Sequence, residues 1–328
     1  MKRRTLLQSG ALALPSLARA QSAPPAAAPV TVGVLVDFPL PAQESKALRD
    51  ELARLGWSEG ANLRLEVRET DSRGERLDAA VSELLASRPS VLIVSHEGVA
   101  VAVRRRNERL PIVMVLSRDP VGAGLAASLQ RPGGSVTGLA TMQDDIRPKV
   151  FELTRQLVPK ARRFAGMFFF AGAPNPGLDA ILERGRQLAR QVDAEYLPLQ
   201  VRDAGEIEGL VAALRPAADH VLLVNFDPGL GPQYPRIAAL ARAAKLPSAS
   251  QSLDYARLGG LMGYGPDLAS HLRRAVQLAD KVLRGTPPGD IAIEQPTFVK
   301  LVLNQRTARE IGLAIPQPLL LRADEVIE

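Results

Sequence analysis

Short runs of consecutive apolar residues alternate with longer stretches in which apolar positions return every third or fourth residue. The first run, Val30 to Phe38, contains Val32, Val34, Leu35 and Val36. The spacing after it predicts a helix from about Ala42 to Leu55, closed by Gly56 as a left-handed cap. Leu63, Leu65 and Val67 then alternate with Arg64, Glu66 and Arg68. A strand with one polar face belongs near a sheet edge. Glu75 to Ala86 reads as an amphipathic helix, Val91 to Val94 as a buried strand, Gly98 to Asn107 as a helix and Ile112 to Leu116 as another buried strand. Apolar strands alternating with helices predict a parallel sheet covered on both faces.

The pattern then restarts. Helices are expected at Arg147 to Leu157, Leu178 to Val192, Ile207 to Leu214 and Tyr234 to Ala244. The strands between them are Phe164 to Phe170, Tyr196 to Val201, Val221 to Val224 and Pro247 to Ser250. Two such runs predict two similar α/β lobes, and no internal repeat indicates a solenoid. A long helix at Leu268 to Leu283, a strand at Phe298 to Leu303 and a short helix ending near Gly312 are left to complete either lobe. Strand C-terminal ends and helix N-termini face the gap between such lobes, which is the expected ligand site.

The N-terminus changes where this fold is expected to work. Lys2, Arg3 and Arg4 precede a mostly apolar run from Leu6 to Leu17, and Ala18-Arg19-Ala20 follows. This is the layout of an export signal over residues 1–20, with an apolar run too short to span a bilayer. Arg3-Arg4-Thr5-Leu6-Leu7 fits a twin-arginine signal as well as a general secretory one. Residues 21–29, rich in Ala, Pro and Ser, read as a flexible leader, and the mature chain is expected in the periplasm. Four cationic residues and no acids fall in the signal, so without it the formal charge of +6 drops to +2. The chain has 328 residues, 46% of them hydrophobic and 23% charged, the profile of a soluble globular protein with room for two domains. No basic face suggests nucleic acid: Arg104-Arg105-Arg106 sits at a helix end, where it offsets the dipole. With no cysteine, disulfides, thiolate metal sites and a Cys nucleophile are excluded.

Four segments carry a resemblance. They are DPVGAGLAASLQRPGGSVTG from Asp119 to Gly138, GGLMGYGPDL from Gly259 to Leu268, EQPT from Glu294 to Thr297 and LLLRADEVIE from Leu319 to Glu328. In this order and spacing the chain resembles, from about Val30 to Glu328, the solute-binding proteins of an ABC transporter family related to tryptophan and other aromatic amino-acid importers. The resemblance implies a type I periplasmic-binding-protein fold: two Rossmann-like lobes with parallel sheets, joined by a hinge of three crossovers. These are placed near Thr141, near Leu253 to Tyr255 and near Ile293 to Pro296. Lobe one then holds residues 30–140 and 256–290, and lobe two holds 141–255 and 291–328. The implied activity is binding of a small organic solute, amino-acid-like or related, for an inner-membrane ABC permease. The protein is expected to be monomeric, without nucleic-acid partners and without a cofactor.

Rival readings rest on less. Gly122 to Ala127 fits a loose dinucleotide fingerprint, with Asp144 about 20 residues on. Residues 117–121 separate the strand from the first glycine, and Arg131-Pro132-Gly133-Gly134 would cut the helix, so turn glycines are the simpler reading. His96, His220 and His271 have no His or Cys partner at metal spacing, and Gly-x-Ser-x-Gly is absent. His96 beside Glu97 keeps an enzyme with a cleft acid/base pair as an alternative. A ligand-sensing subunit of a membrane receptor is another.

Candidate contacts follow from strand ends. In lobe one they are Asp37, Phe38, Ser95, His96, Ser117 and Asp119. In lobe two they are Phe170, Asn225, Asp227, Gln251 and Ser252. The resemblance adds Tyr264, as a stacking surface or as hinge packing, and implies that Asp227 pairs with a ligand ammonium while Asn225 and Ser252 hydrogen-bond. Free amides at the helix after Ser95 suit a carboxylate. Many relatives carry Ser-Gly-Thr-Pro there, whereas this chain has Ser95-His96-Glu97-Gly98, whose glutamate repels a carboxylate. Trp57, just after the Gly56 cap, reads as core packing.

Overall fold

A computed structural model describes residues 28–38, 40–70, 74–141, 143–169, 178–214, 219–227, 229–295 and 299–328. The expected export signal, most of the leader, Phe170 and Pro296, at the end of the last expected crossover, lie outside these residues. The first half comprises β1 (Val30–Val36), α1 (Ala42–Arg54), β2 (Leu63–Glu69), α2 (Gly74–Ala86), β3 (Val91–Val94), α3 (Glu97–Arg104), β4 (Ile112–Ser117) and β5 (Val136–Ala140). Its five strands form one parallel sheet in the order β2-β1-β3-β4-β5, with β2 at an edge.

The alternation of side chains explains why these strands are apolar on both faces. Val32, Val34, Val91, Ile93, Val113 and Val115 point into one core cluster. Leu35, Leu92, Val94, Ile112 and Met114 point into the other, with residues of α2 and α3. Successive Cβ atoms alternate, so a strand sandwiched between helix layers has no polar positions to spare.

The second half contains α4 (Gln143–Leu157), β6 (Arg163–Phe169), α5 (Leu178–Gln191), β7 (Glu195–Val201), α6 (Ile207–Ala212), β8 (His220–Val224), α7 (Tyr234–Ala243), β9 (Ser248–Ser250), α8 (Leu253–Arg257) and β10 (Met262–Pro266). After it come α9 (Leu268–Leu283), β11 (Val299–Asn304), α10 (Gln305–Glu310), α11 (Gln317–Leu320) and β12 (Glu325–Ile327). The second sheet has seven strands, β12-β11-β10-β9-β8-β6-β7. It is mostly parallel, but β10 and β11 pair antiparallel.

Three expectations need correction, the first being residues 291–293, expected in lobe two, whose Ile291 and Ile293 pack in the core of the first half. Residues 256–266, expected in lobe one with the helix that follows, instead join the second sheet, where β10 pairs with β9 and β11. The chain passes to the first half only after Pro266, where α9 packs on α1 and on β3, β4 and β5. The crossover expected near Leu253 to Tyr255 is instead α8, buried against β10 and β11. The glycines of β10 explain that packing. A methyl group at Gly265 would overlap the Gln251 carbonyl, and one at Gly263 would overlap that of Ser252. The chain leading into α8 therefore lies directly on the strand, and only glycine permits this approach.

The other two passages are hydrogen-bonded together. Thr141 donates its N–H to the Ser117 carbonyl at 2.6 Å. Glu294 forms a bridge to Leu139, donating to Gly138 O at 2.9 Å and accepting from Ala140 N at 2.8 Å. The Arg274 guanidinium of α9 grips the Glu294 carboxylate at 2.7 and 2.6 Å and holds its pKa below the usual range. Gly138 has φ +140°, and a Cβ there would strike the Met114 backbone, so the strand beside this junction requires glycine. Trp57 joins α1 to α9 by donating to Asp280 at 2.8 Å. Among the described residues no helix is long and apolar enough to cross a membrane.

Candidate functional site

The C-terminal ends of β1 and β3 and the first turn of α1 face the segment after β8 and the helices α7 and α8. Between them lies a cleft of about 470 Å³. Its first wall carries Asp37, Phe38, Glu44, Ser95, His96 and Leu116, and its second carries Phe226, Asp227, Tyr234, Ser252, Asp254 and Arg257. Leu268, at the start of α9, completes the lining. Phe226 also packs on the core cluster of the first half, so one ring spans the two walls.

Asp37, Ser95 and His96 form a closed unit. Asp37 is 4% exposed and accepts from Ser95 Oγ and from His96 Nε2, each at 2.7 Å. Burial opposes its charge, but the His96 hydrogen bond and charge and the Ser95 bond outweigh it and lower its pKa. His96 is the N-cap of α3, its Nδ1 accepting from Gly98 N at 3.0 Å. A ring that accepts at Nδ1 carries its proton at Nε2 and donates to Asp37. Burial disfavours the imidazolium, but Asp37 and then Glu97 outweigh that cost and raise the His96 pKa. Protonation therefore strengthens the Asp37 pair and gives up the helix cap. Ser95 gives its proton to the carboxylate and not to His96, so the imidazole does not activate this hydroxyl.

Glu44 and Asp227 are held differently. Glu44 lies in the first turn of α1 and is 3% exposed. Burial and the nearby Asp254 raise its pKa, outweighing a backbone hydrogen bond and the more distant charge of Arg257, and Glu44 makes no ion pair among the described residues. Asp227 accepts from Gly229 N at 2.8 Å and Phe169 N at 3.3 Å, bonds that shape the turn after β8. Burial outweighs these amides and raises its pKa too. Arg257 is committed elsewhere, to Glu325 at 2.8 Å and Asp254 at 3.1 Å, which raises its pKa further.

The cleft thus gathers Asp37, Phe38, Ser95, His96, Asp227 and Ser252 from the expected contacts. Gln251 lines a small recess beside it with Glu44 and Asp254, and its buried Nε2 has no partner among the described residues. Asn225 lies apart: it lines a separate small cavity with Tyr196 and Phe151. Ser117 is fully buried and its carbonyl anchors Thr141. Asp119 is exposed, and its Oδ1 accepts from Gly122 N at 2.7 Å to form a local turn. That turn also ends the dinucleotide reading, because residues 121–135 contain no helix whose N-terminus could hold phosphates. Tyr264 alternates with Gly263 and Gly265 and packs on the core of the second half, outside the cleft.

Sequence reasoning missed Glu44, Asp254, Arg257, Tyr234 and Phe226. A signal for Glu44 was present: with Ala47, Leu48, Glu51 and Leu52 it occupies the buried stripe of α1. An acid on an apolar stripe has to face either a partner or a cavity. Glu51 meets Arg54 and Gln277, whereas Glu44 meets the cleft.

The model of the ABC transporter substrate binding protein family matches residues 29–327. The chain belongs to that family. A tyrosine-binding protein of Clostridioides difficile is 22% identical over 284 residues, spanning 87% of this chain and 81% of the relative. A Streptococcus pneumonia ABC domain, solved in complex with L-Trp, superposes with TM-score 0.79 at 21% identity, covering 92% of this chain and 100% of that one. A conserved domain protein from Vibrio cholerae gives TM-score 0.79 at 22% identity, covering 90% and 99%. The two sheets and their crossovers are those of the type I periplasmic-binding-protein fold.

Proposed function

We propose that this family member is the exported solute-binding component of an ABC importer. It takes one small organic solute into the cleft, closes over it as a monomer and presents it to an inner-membrane permease. The moving bodies are residues 30–140 with 267–293, and residues 141–266 with 294–328. One observation carries the reading: both halves of a chain that crosses between its sheets three times contribute side chains to one cleft. Its volume falls in the range of small-molecule sites. Closure is driven by the greater affinity of the solute for the closed form.

No covalent step is part of this function. Ser95 is bonded to Asp37, and His96 is occupied by Asp37 and by the α3 cap. The aromatic amino-acid relatives support a ligand with an apolar body and an amine, for which Asp227 is the counter-charge. Thermal-shift screening of the mature chain against amino acids, amines, organic acids, sugars and nucleosides tests the reading. A true solute raises the melting temperature by mass action. No rise with any class overturns it.

A further inference from the structure

We infer that the cleft selects an organic cation with an apolar body and no carboxylate. The inference rests on the solute-binding reading and narrows it to a ligand class different from the amino acids named for the relatives.

The first support is the seat an anion would need. At the N-terminus of α3, His96 Nδ1 already takes the Gly98 N–H. Glu97 turns to accept from Arg118 N at 3.0 Å, and adds negative charge to the same helix end. A ligand carboxylate arriving here meets an occupied donor and a like charge. Arg257, the other cation on the cleft, is already held by two carboxylates.

The second support is the balance of charge. Asp37, Glu44, Asp227 and Asp254 line the cleft, against His96 and Arg257. His96 pairs with Asp37, and Arg257 pairs with Asp254 and Glu325. Glu44 and Asp227 remain, one from each half, with no ion pair on either among the described residues; Arg257, the cation nearest Glu44, is paired with Asp254 and Glu325. Glu44 is 3% exposed and lines the cavity. A buried carboxylate without a counter-ion is costly to the empty protein. A bound cation at either carboxylate offsets that cost. Phe38, Leu116, Phe226 and Leu268 supply apolar contact for the rest of the solute, and Gln251 Nε2, without a partner among the described residues, offers one neutral hydrogen bond in the recess beside the cleft.

The test compares matched probes by calorimetry on the mature chain. Tyramine, tryptamine and phenethylamine are set against L-tyrosine, L-tryptophan and L-phenylalanine, and against 3-(4-hydroxyphenyl)propionate. At least one amine is expected to bind ten-fold or more tightly than its amino acid, with no binding of the propionate. Glu44→Gln and Asp227→Asn, each folded by circular dichroism, are expected to weaken that amine at least ten-fold. Amino acids binding as tightly as the amines overturn the inference and leave the importer reading standing. So does a sugar or organic acid that raises the melting temperature when no amine does. Unchanged amine affinity in both variants also overturns it. Silence from every class in the wider screen overturns the importer reading itself.

Discussion

Asp37 and Glu44 stand on the same wall of the cleft and are almost equally buried, at 4% and 3% exposed. Their surroundings differ. Asp37 has its donors built in from Ser95 and His96, and its pKa is lowered. Glu44 has burial and the neighbouring Asp254 against it, and its pKa is raised. The first carboxylate holds the wall together. The second has its charged form disfavoured by its surroundings, as the proposed cation-binding role of Glu44 requires.

The largest effect that would break this contrast is at Asp37. Asp37→Ala leaves Ser95 and His96 without their acceptor and is expected to destabilise the ligand-free protein by about 3 kcal/mol. Urea denaturation measures it; a loss well under 1 kcal/mol would mean that Asp37 is no more structural than Glu44. Glu44→Gln is expected to act in the opposite direction. Removing a buried charge that makes no ion pair should stabilise the empty protein by up to about 1 kcal/mol at neutral pH while weakening a cationic solute.

The pH dependence sharpens the same point. Glu44 and Asp227 have raised pKa values, so on acidification they take up protons before ordinary carboxylates do. Affinity for a cation should therefore begin to fall above the usual carboxylate range, and calorimetry across pH would detect a flat profile instead. His96 titrates with the other sign. Its pKa is raised, so its charge-linked contribution to stability is full below about 6.5 and is lost as pH rises through the folded value. The stability gap between wild type and His96→Gln should narrow over that window, and a constant gap would count against the Asp37 pair. The smallest effect is expected at Asp119. Asp119→Ala should change stability by no more than about 0.5 kcal/mol and leave solute affinity unaltered, because the carboxylate only closes an exposed turn.

Much of the fold was legible because buried parallel strands have a local signature. Val91 to Val94 and Ile112 to Leu116 are apolar at every position since helices cover both faces, and β2 shows its edge position in its alternating charges. Leu268 to Leu283 was legible from its 3.6-residue period alone. The short strands β5 and β10 were not, because threonine and glycine replace the apolar run where neighbouring backbone comes close. Residues 256–266 went to the wrong half for the same reason: nothing local to them says which sheet they join.

The site divided along the same line. Sequence alone determined that polar residues after β1, β3 and β8 would face a cleft, because strand ends in such sheets converge there. Only the tertiary structure decided which of them do. It turned Asp119 outward, left Asn225 in another cavity and brought in Glu44 from a helix and Arg257 from after β9. It also decided which charges are already satisfied. The partners are distant in the chain, Asp37 with His96 and Arg257 with Glu325, and a carboxylate's field depends on what surrounds it in space.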